Sequence, residues 1–138
     1  MILGIGCDIV KIERIERLIA EYGLTFKRRV FTALEISIGD NLKHHLQPSY
    51  YAKRFAAKEA FSKALGTGIG DYIGFLDIEI TNNNLGAPII NCDLLKNKKS
   101  HLSISDERDF AIAYVIIENI EVYGKSHFIA NTSVTKTA

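Results

Sequence analysis

At 138 residues, with 47% hydrophobic and 24% charged side chains and a net charge of +1, the chain has the composition of one soluble globular domain. It is too short for two full cores and too near neutral to draw nucleic acid or phosphate by overall charge, so any such attraction has to come from local clusters. Its two cysteines, Cys7 and Cys92, make neither a disulfide framework nor the paired doublets of a zinc site, a usage that fits a reducing compartment.

Residues 1–10 are rich in Ile, Leu and Val and read as a first strand interrupted by Gly4 and Gly6. They carry Asp8 and lack a signal-peptide pattern, and the longest apolar run, residues 110–117, is too short to span a bilayer. The expectation is a cytoplasmic protein that stays off membranes. Over residues 11–22 the period changes: Ile12, Ile15, Leu18 and Ile19 share one face, charged residues fill the other, and Gly23 is the natural stop of this amphipathic helix. A short second helix begins near Thr32, with Glu35 three positions on as in a capping box.

Residues 39–49 are polar and irregular, and a helix of about five turns follows from near Pro48 to Leu65, where Gly66 and Gly68 end it. Beyond the glycines the pattern turns to strands over residues 75–81 and 88–92, separated by the turn residues 82–86. A polar segment at 93–100 precedes a strictly alternating strand at 101–105. The residues 106–109 form a hairpin turn, and 110–118 is a strong β-branched and aromatic strand. The fold class is α+β, helices early and a mostly antiparallel sheet late. Residues 1–120 make the domain, and 121–138, rich in Ser, Thr, Asn and Lys, a C-terminal extension of unassigned role.

Chemistry concentrates in two places. Asp8 stands in an apolar strand, where a carboxylate needs either a capping role or a cationic partner. The long helix sets Glu59 and Lys63 four apart in a stripe with Phe55, Ala52 and Ala56, and Arg54, Lys58 and Ser62 form the neighbouring row. That spacing alone is also an ordinary helix-stabilising ion pair. Asp8 and Glu59 together offer two hard oxygen donors of the kind Mg²⁺ accepts beside substrate phosphates. The four histidines are scattered without zinc spacing. Arg14 and Arg17, with Lys27, Arg28 and Arg29, make a basic patch without interleaved aromatics, better suited to an acidic protein than to nucleic acid.

Two segments are specific. Gly4-Ile5-Gly6-Cys7-Asp8-Ile9, and the run from Arg54 through Phe55-Ala56-Ala57-Lys58-Glu59-Ala60-Phe61-Ser62-Lys63-Ala64-Leu65 to Gly66-Thr67-Gly68, resemble the two signature segments of the holo-acyl-carrier-protein synthases. These are the small 4′-phosphopantetheinyl transferases. Gly86-Ala87-Pro88 and Leu102-Ser103-Ile104-Ser105 extend the resemblance over about residues 1–120. It implies a long helix packed on a curved, mostly antiparallel sheet, and a homotrimer with active sites between subunits. It also implies Mg²⁺-dependent transfer of phosphopantetheine from coenzyme A to apo-acyl carrier protein in fatty acid biosynthesis, with adenosine 3′,5′-bisphosphate released.

On that resemblance, Asp8 and Glu59 hold the metal, Glu59 and Lys63 are catalytic, and Arg54, Lys58, Lys63 and Gly66 meet the cofactor. Glu59 is the expected base, with Glu35 a weaker second, and Arg14 the expected carrier-protein contact, with Arg17 and the run Lys27, Arg28 and Arg29 as weaker candidates. Asp106 stands where many relatives have histidine, which leaves its role open. Two other readings use the same residues. A metal-dependent phosphohydrolase would employ Asp8, Glu59 and Lys63 with water as acceptor. A non-enzymatic module would bind an acidic partner through the basic patch alone.

Overall fold

The computed structural model describes residues 1–120; the C-terminal segment 121–138, including the expected extension, lies outside the described residues. In chain order the elements are β1 (Ile2–Lys11), α1 (Ile12–Val30), α2 (Ala33–Asp40), α3 (Gln47–Ala64), β2 (Glu79–Asn82), β3 (Pro88–Asn91), β4 (Lys98–Asp106) and β5 (Phe110–Asn119). Short 3-10 turns at His44–Leu46, Phe75–Asp77 and Asp93–Leu95 join them.

α3 is the axis of the molecule. Proline in its first turn suits a position that needs no N–H donor, and its alanines let neighbours come close: Ala52, Ala56, Ala57 and Ala60 are fully buried. The glycines of β1 answer those alanines. A Cβ on Gly4 would lie 1.9 Å from the carbonyl oxygen of Ala64, and one on Gly6 equally close to that of Ala60. These glycines therefore serve strand-to-helix packing. Val10, Ala111, Ala113, Val115 and Ile117 complete the inner face of the sheet.

The α+β composition holds, but the expected curved sheet does not form. The strands divide into an open three-stranded antiparallel sheet, ordered β1-β5-β4, and a separate antiparallel hairpin, β2-β3. After β3 the chain enters a 3-10 turn and then passes Asn97 at φ 61°, and it enters β4 without extending the ladder from β3. The hairpin docks instead through Ile80 and Ile90, both buried in the common core with Phe61, Ile73 and Ile78.

Two local expectations are not met, and a third is. Gly23 leaves helical geometry at φ 55° and ψ −131°, yet α1 resumes beyond it, so the glycine makes a kink and not an end. Residues 75–78 were expected as strand; Phe75–Asp77 is a 3-10 turn closed by the Gly74 N–H donating to Asp77 Oδ2 at 2.8 Å. The Thr32–Glu35 capping box is present in both directions.

Candidate active site

Side chains alternate along a strand, so Asp8 points to the same side of β1 as Gly4 and Gly6, toward α3. The glycines bring the strand close enough for Lys63 of α3 to reach it. Lys63 Nζ donates to Asp8 Oδ1 at 2.9 Å and to the Cys7 carbonyl at 3.1 Å. That hydrogen bond to Asp8 holds the lysine pKa above its ordinary value. Lys63 thus pairs with the strand carboxylate rather than with Glu59, its i−4 neighbour.

Glu59 is half-buried one turn earlier. Burial, then the charge of Asp8, pushes its carboxyl pKa up, against the pull of Lys63 and Arg14. Arg14 belongs here because its guanidinium carbon lies 5.7 Å over the Phe55 ring, which tucks the first turn of α1 against α3. Three sequence-predicted residues, Asp8, Glu59 and Lys63, therefore gather at one place, joined by Arg14. Among the described residues no group of three or more His, Cys, Asp and Glu forms a cage. Two carboxylates whose charges repel, beside a solvent-reached lysine, match a hard divalent cation that takes its other ligands from water and phosphate. The donor set fits Mg²⁺.

Gly66 follows immediately, exposed, at φ 82°, where its left-handed conformation ends α3. Lys58 lies elsewhere. It is fully buried, and its three ammonium protons go to Glu35 Oε1 at 2.6 Å, the Val30 carbonyl at 2.7 Å and the Phe75 carbonyl at 3.1 Å. Glu35 also accepts from the N–H groups of Thr32 and Ile80, at 2.8 and 2.9 Å. Lys58 has no donor left for a phosphate, and Glu35, equally buried, is too fully engaged to act as the second base.

Arg54 is buried too, but at the wall of a second cleft. Its guanidinium stacks 3.6 Å from the Tyr50 ring centroid, Nη2 donates to Asn82 Oδ1 at 2.9 Å, and Nε has no hydrogen-bond partner. Asn82, which the sequence offered only as a turn residue, also donates to the Gly86 carbonyl at 2.8 Å. Lys53, Arg54, Asn82, Gly86, Pro88 and Asp106 line this cleft of about 160 Å³. Of the basic patch, Arg17 pairs with Glu13, and Lys27 is held between Asp40, at 2.6 Å, and the ring of Tyr51. Arg14, Arg28 and Arg29 remain exposed.

Residues 4–115 match the model of the 4′-phosphopantetheinyl transferase superfamily. The chain belongs to that superfamily. Within it, this enzyme is 45% identical over 121 residues to the holo-[acyl-carrier-protein] synthase of Bacillus mycoides, covering 86% of this chain and 98% of that one. It is 49% identical over 127 residues to the Shewanella baltica synthase, with the same coverage of each. Among solved structures it is similar to the Bacillus anthracis holo-(acyl-carrier-protein) synthase in complex with CoA (3′,5′-ADP). That match has a TM-score of 0.80 and 42% identity, over 87% of this chain and 99% of the other. The synthase from Neisseria meningitidis matches with a TM-score of 0.79 and 39% identity, over 86% and 100%. No helix among the described residues is long and apolar enough to cross a membrane.

Proposed function

We propose that this transferase moves the 4′-phosphopantetheine arm of coenzyme A to a serine hydroxyl of apo-acyl carrier protein, with Mg²⁺, and releases adenosine 3′,5′-bisphosphate. One observation carries the reading. The Lys63 ammonium sits on Asp8 one turn from a carboxyl with a raised pKa, in a chain 42% identical to a synthase crystallised with CoA (3′,5′-ADP).

The nucleophile belongs to the partner, in keeping with a site built of two acids and a lysine. The serine oxygen attacks the β-phosphorus of the diphosphate, and the bond from that phosphorus to the bridging oxygen breaks, so the electron pair leaves with the nucleotide phosphate. Glu59 takes the serine proton, directly or through one water. Lys63 offsets charge on the departing phosphate. Mg²⁺ held by Asp8 and Glu59 would polarise the diphosphate. Arg14, exposed beside Glu59, is placed to meet an acidic carrier protein as its serine enters.

The remaining phosphate of coenzyme A needs a cation, and Arg54 is the candidate. Arg54 and Lys63 are nine residues apart on α3, about 180° around the helix. One coenzyme A molecule cannot readily touch both on one copy, which supports sites formed between subunits. The outer face of the three-stranded sheet supports self-association as well. Ile5 and Ile9 are 63% and 61% exposed, and Leu3, Phe110 and Tyr114 are exposed beside them, a contiguous apolar surface of the kind that marks interfaces. A homotrimer is the assembly we propose.

The deciding experiment is the intact mass of apo-carrier protein incubated with this enzyme and coenzyme A, with and without Mg²⁺. A gain of one phosphopantetheine arm only with Mg²⁺ supports the reading. Coenzyme A cleaved with the carrier unmodified would establish a phosphohydrolase instead.

A further inference from the structure

The wall of the Arg54 cleft contains an anion of its own. Lys53 Nζ lies 3.3 Å from Asp106 Oδ1, an ion pair that joins α3 to the end of β4. Both side chains are about one-third exposed, at 31% and 37%, so the pair can open without unfolding anything around it. Next to it, Arg54 is 92% buried, fixed by Tyr50 and Asn82, and its Nε is unpaired. Leaving a guanidinium N–H buried without a partner costs free energy that an anionic ligand could recover. The cleft itself, at about 160 Å³, has room for several waters. That is enough for a phosphate group.

Charge decides what Asp106 does there. With Asp106 ionised, the cleft holds Lys53 and Arg54 against one carboxylate, a balance of one positive charge. A phosphomonoester approaching Lys53 meets that carboxylate at the same ammonium, and two anions on one cation repel.

We propose that Asp106 is an internal counter-anion, displaced from Lys53 by the 3′-phosphomonoester of the bound nucleotide, and so a specificity-determining residue that weakens binding and speeds release. This rests on the transferase reading, in which coenzyme A and the released adenosine 3′,5′-bisphosphate both carry a 3′-phosphomonoester, set apart from whatever the 5′ position bears. Asp106 is a residue of affinity and release; it has no part in the bond making at Glu59.

The experiment is calorimetric titration of the full chain with adenosine 3′,5′-bisphosphate and with adenosine 5′-monophosphate, for wild type and Asp106→Asn. The asparagine keeps size and hydrogen bonding and removes the charge, and its melting temperature should match wild type. Binding of the bisphosphate should tighten about tenfold, the size of a partly screened charge contact, and binding of the monophosphate should stay within about twofold. In a Lys53→Met background the same change should tighten the bisphosphate distinctly less, because the competed cation is gone. Equal tightening of both nucleotides, no tightening, or weaker binding in Asp106→Asn would each overturn the proposal. These failures are separable from failure of the transferase reading, which is judged by whether wild-type enzyme adds the arm to carrier protein.

Discussion

At the scale of single residues, Glu59 is where stability and chemistry pull apart. A carboxyl whose pKa is raised on folding binds its proton more tightly in the folded chain than in the unfolded one, so ionising it costs stability. That cost is absent below the ordinary carboxylate range, grows as pH rises through it, and is complete above the raised value. Activity runs the other way, because only the ionised form accepts the serine proton. Glu59→Gln is therefore expected to lower turnover by at least about a hundredfold and to leave the melting temperature at neutral pH unchanged or higher. The wild-type rate should climb with pH as Glu59 ionises, and bound Mg²⁺ should move that climb to lower pH, because a cation favours the charged carboxylate. Paired melting curves and a pH–rate profile check both; a melting temperature that falls with activity would make Glu59 structural. The sequence showed Asp8, Glu59 and Lys63 as the residues to watch, because an acid in an apolar strand and a charged pair beside alanines are conspicuous. It could not show the fate of Lys58. Helical spacing puts Lys58 about 40° from Arg54, but only the tertiary fold reveals that the turn at Phe75 and the carboxylate of Glu35 close over that row.

Among the elements, the contact between β1 and α3 sets the site. Gly6 holds the strand so close that an added methyl would meet the Ala60 carbonyl at 1.9 Å and the Ala64 nitrogen at 2.7 Å, both backbone atoms that cannot step aside. Gly6→Ala must push β1 off the helix, carrying Asp8 away from Lys63. A loss of about 1–3 kcal/mol in denaturant unfolding, together with a fall in turnover larger than the stability loss explains, is the expected result. Turnover at the wild-type level in a destabilised variant would show that the Asp8–Lys63 contact is not needed. The capping box at Thr32 and the span of α3 were readable in advance because both depend on neighbours within four residues. The kink at Gly23 and the separation of the hairpin from the main sheet were not, since each is decided by packing between segments distant in the chain. Alternating strands announce which residues share a face, not which strand lies beside which.

For the molecule as a whole, the exposed face of the β1-β5-β4 sheet is the feature that a single copy leaves unexplained. Replacing Ile5 and Ile9 together with glutamate places charge on the outward side, where neither residue supports the core. The double variant should remain folded by circular dichroism, sediment as a monomer and lose activity. A variant that sediments as wild type would move the subunit contact elsewhere. The placement of Arg54 and Lys63 on opposite sides of α3 has its own consequence. If each catalytic centre draws one of these side chains from each of two neighbouring chains, Arg54→Ala and Lys63→Ala preparations, each inert alone, should regain partial turnover once mixed and allowed to exchange protomers. The mixed assemblies would hold some centres with both lesions and some with neither.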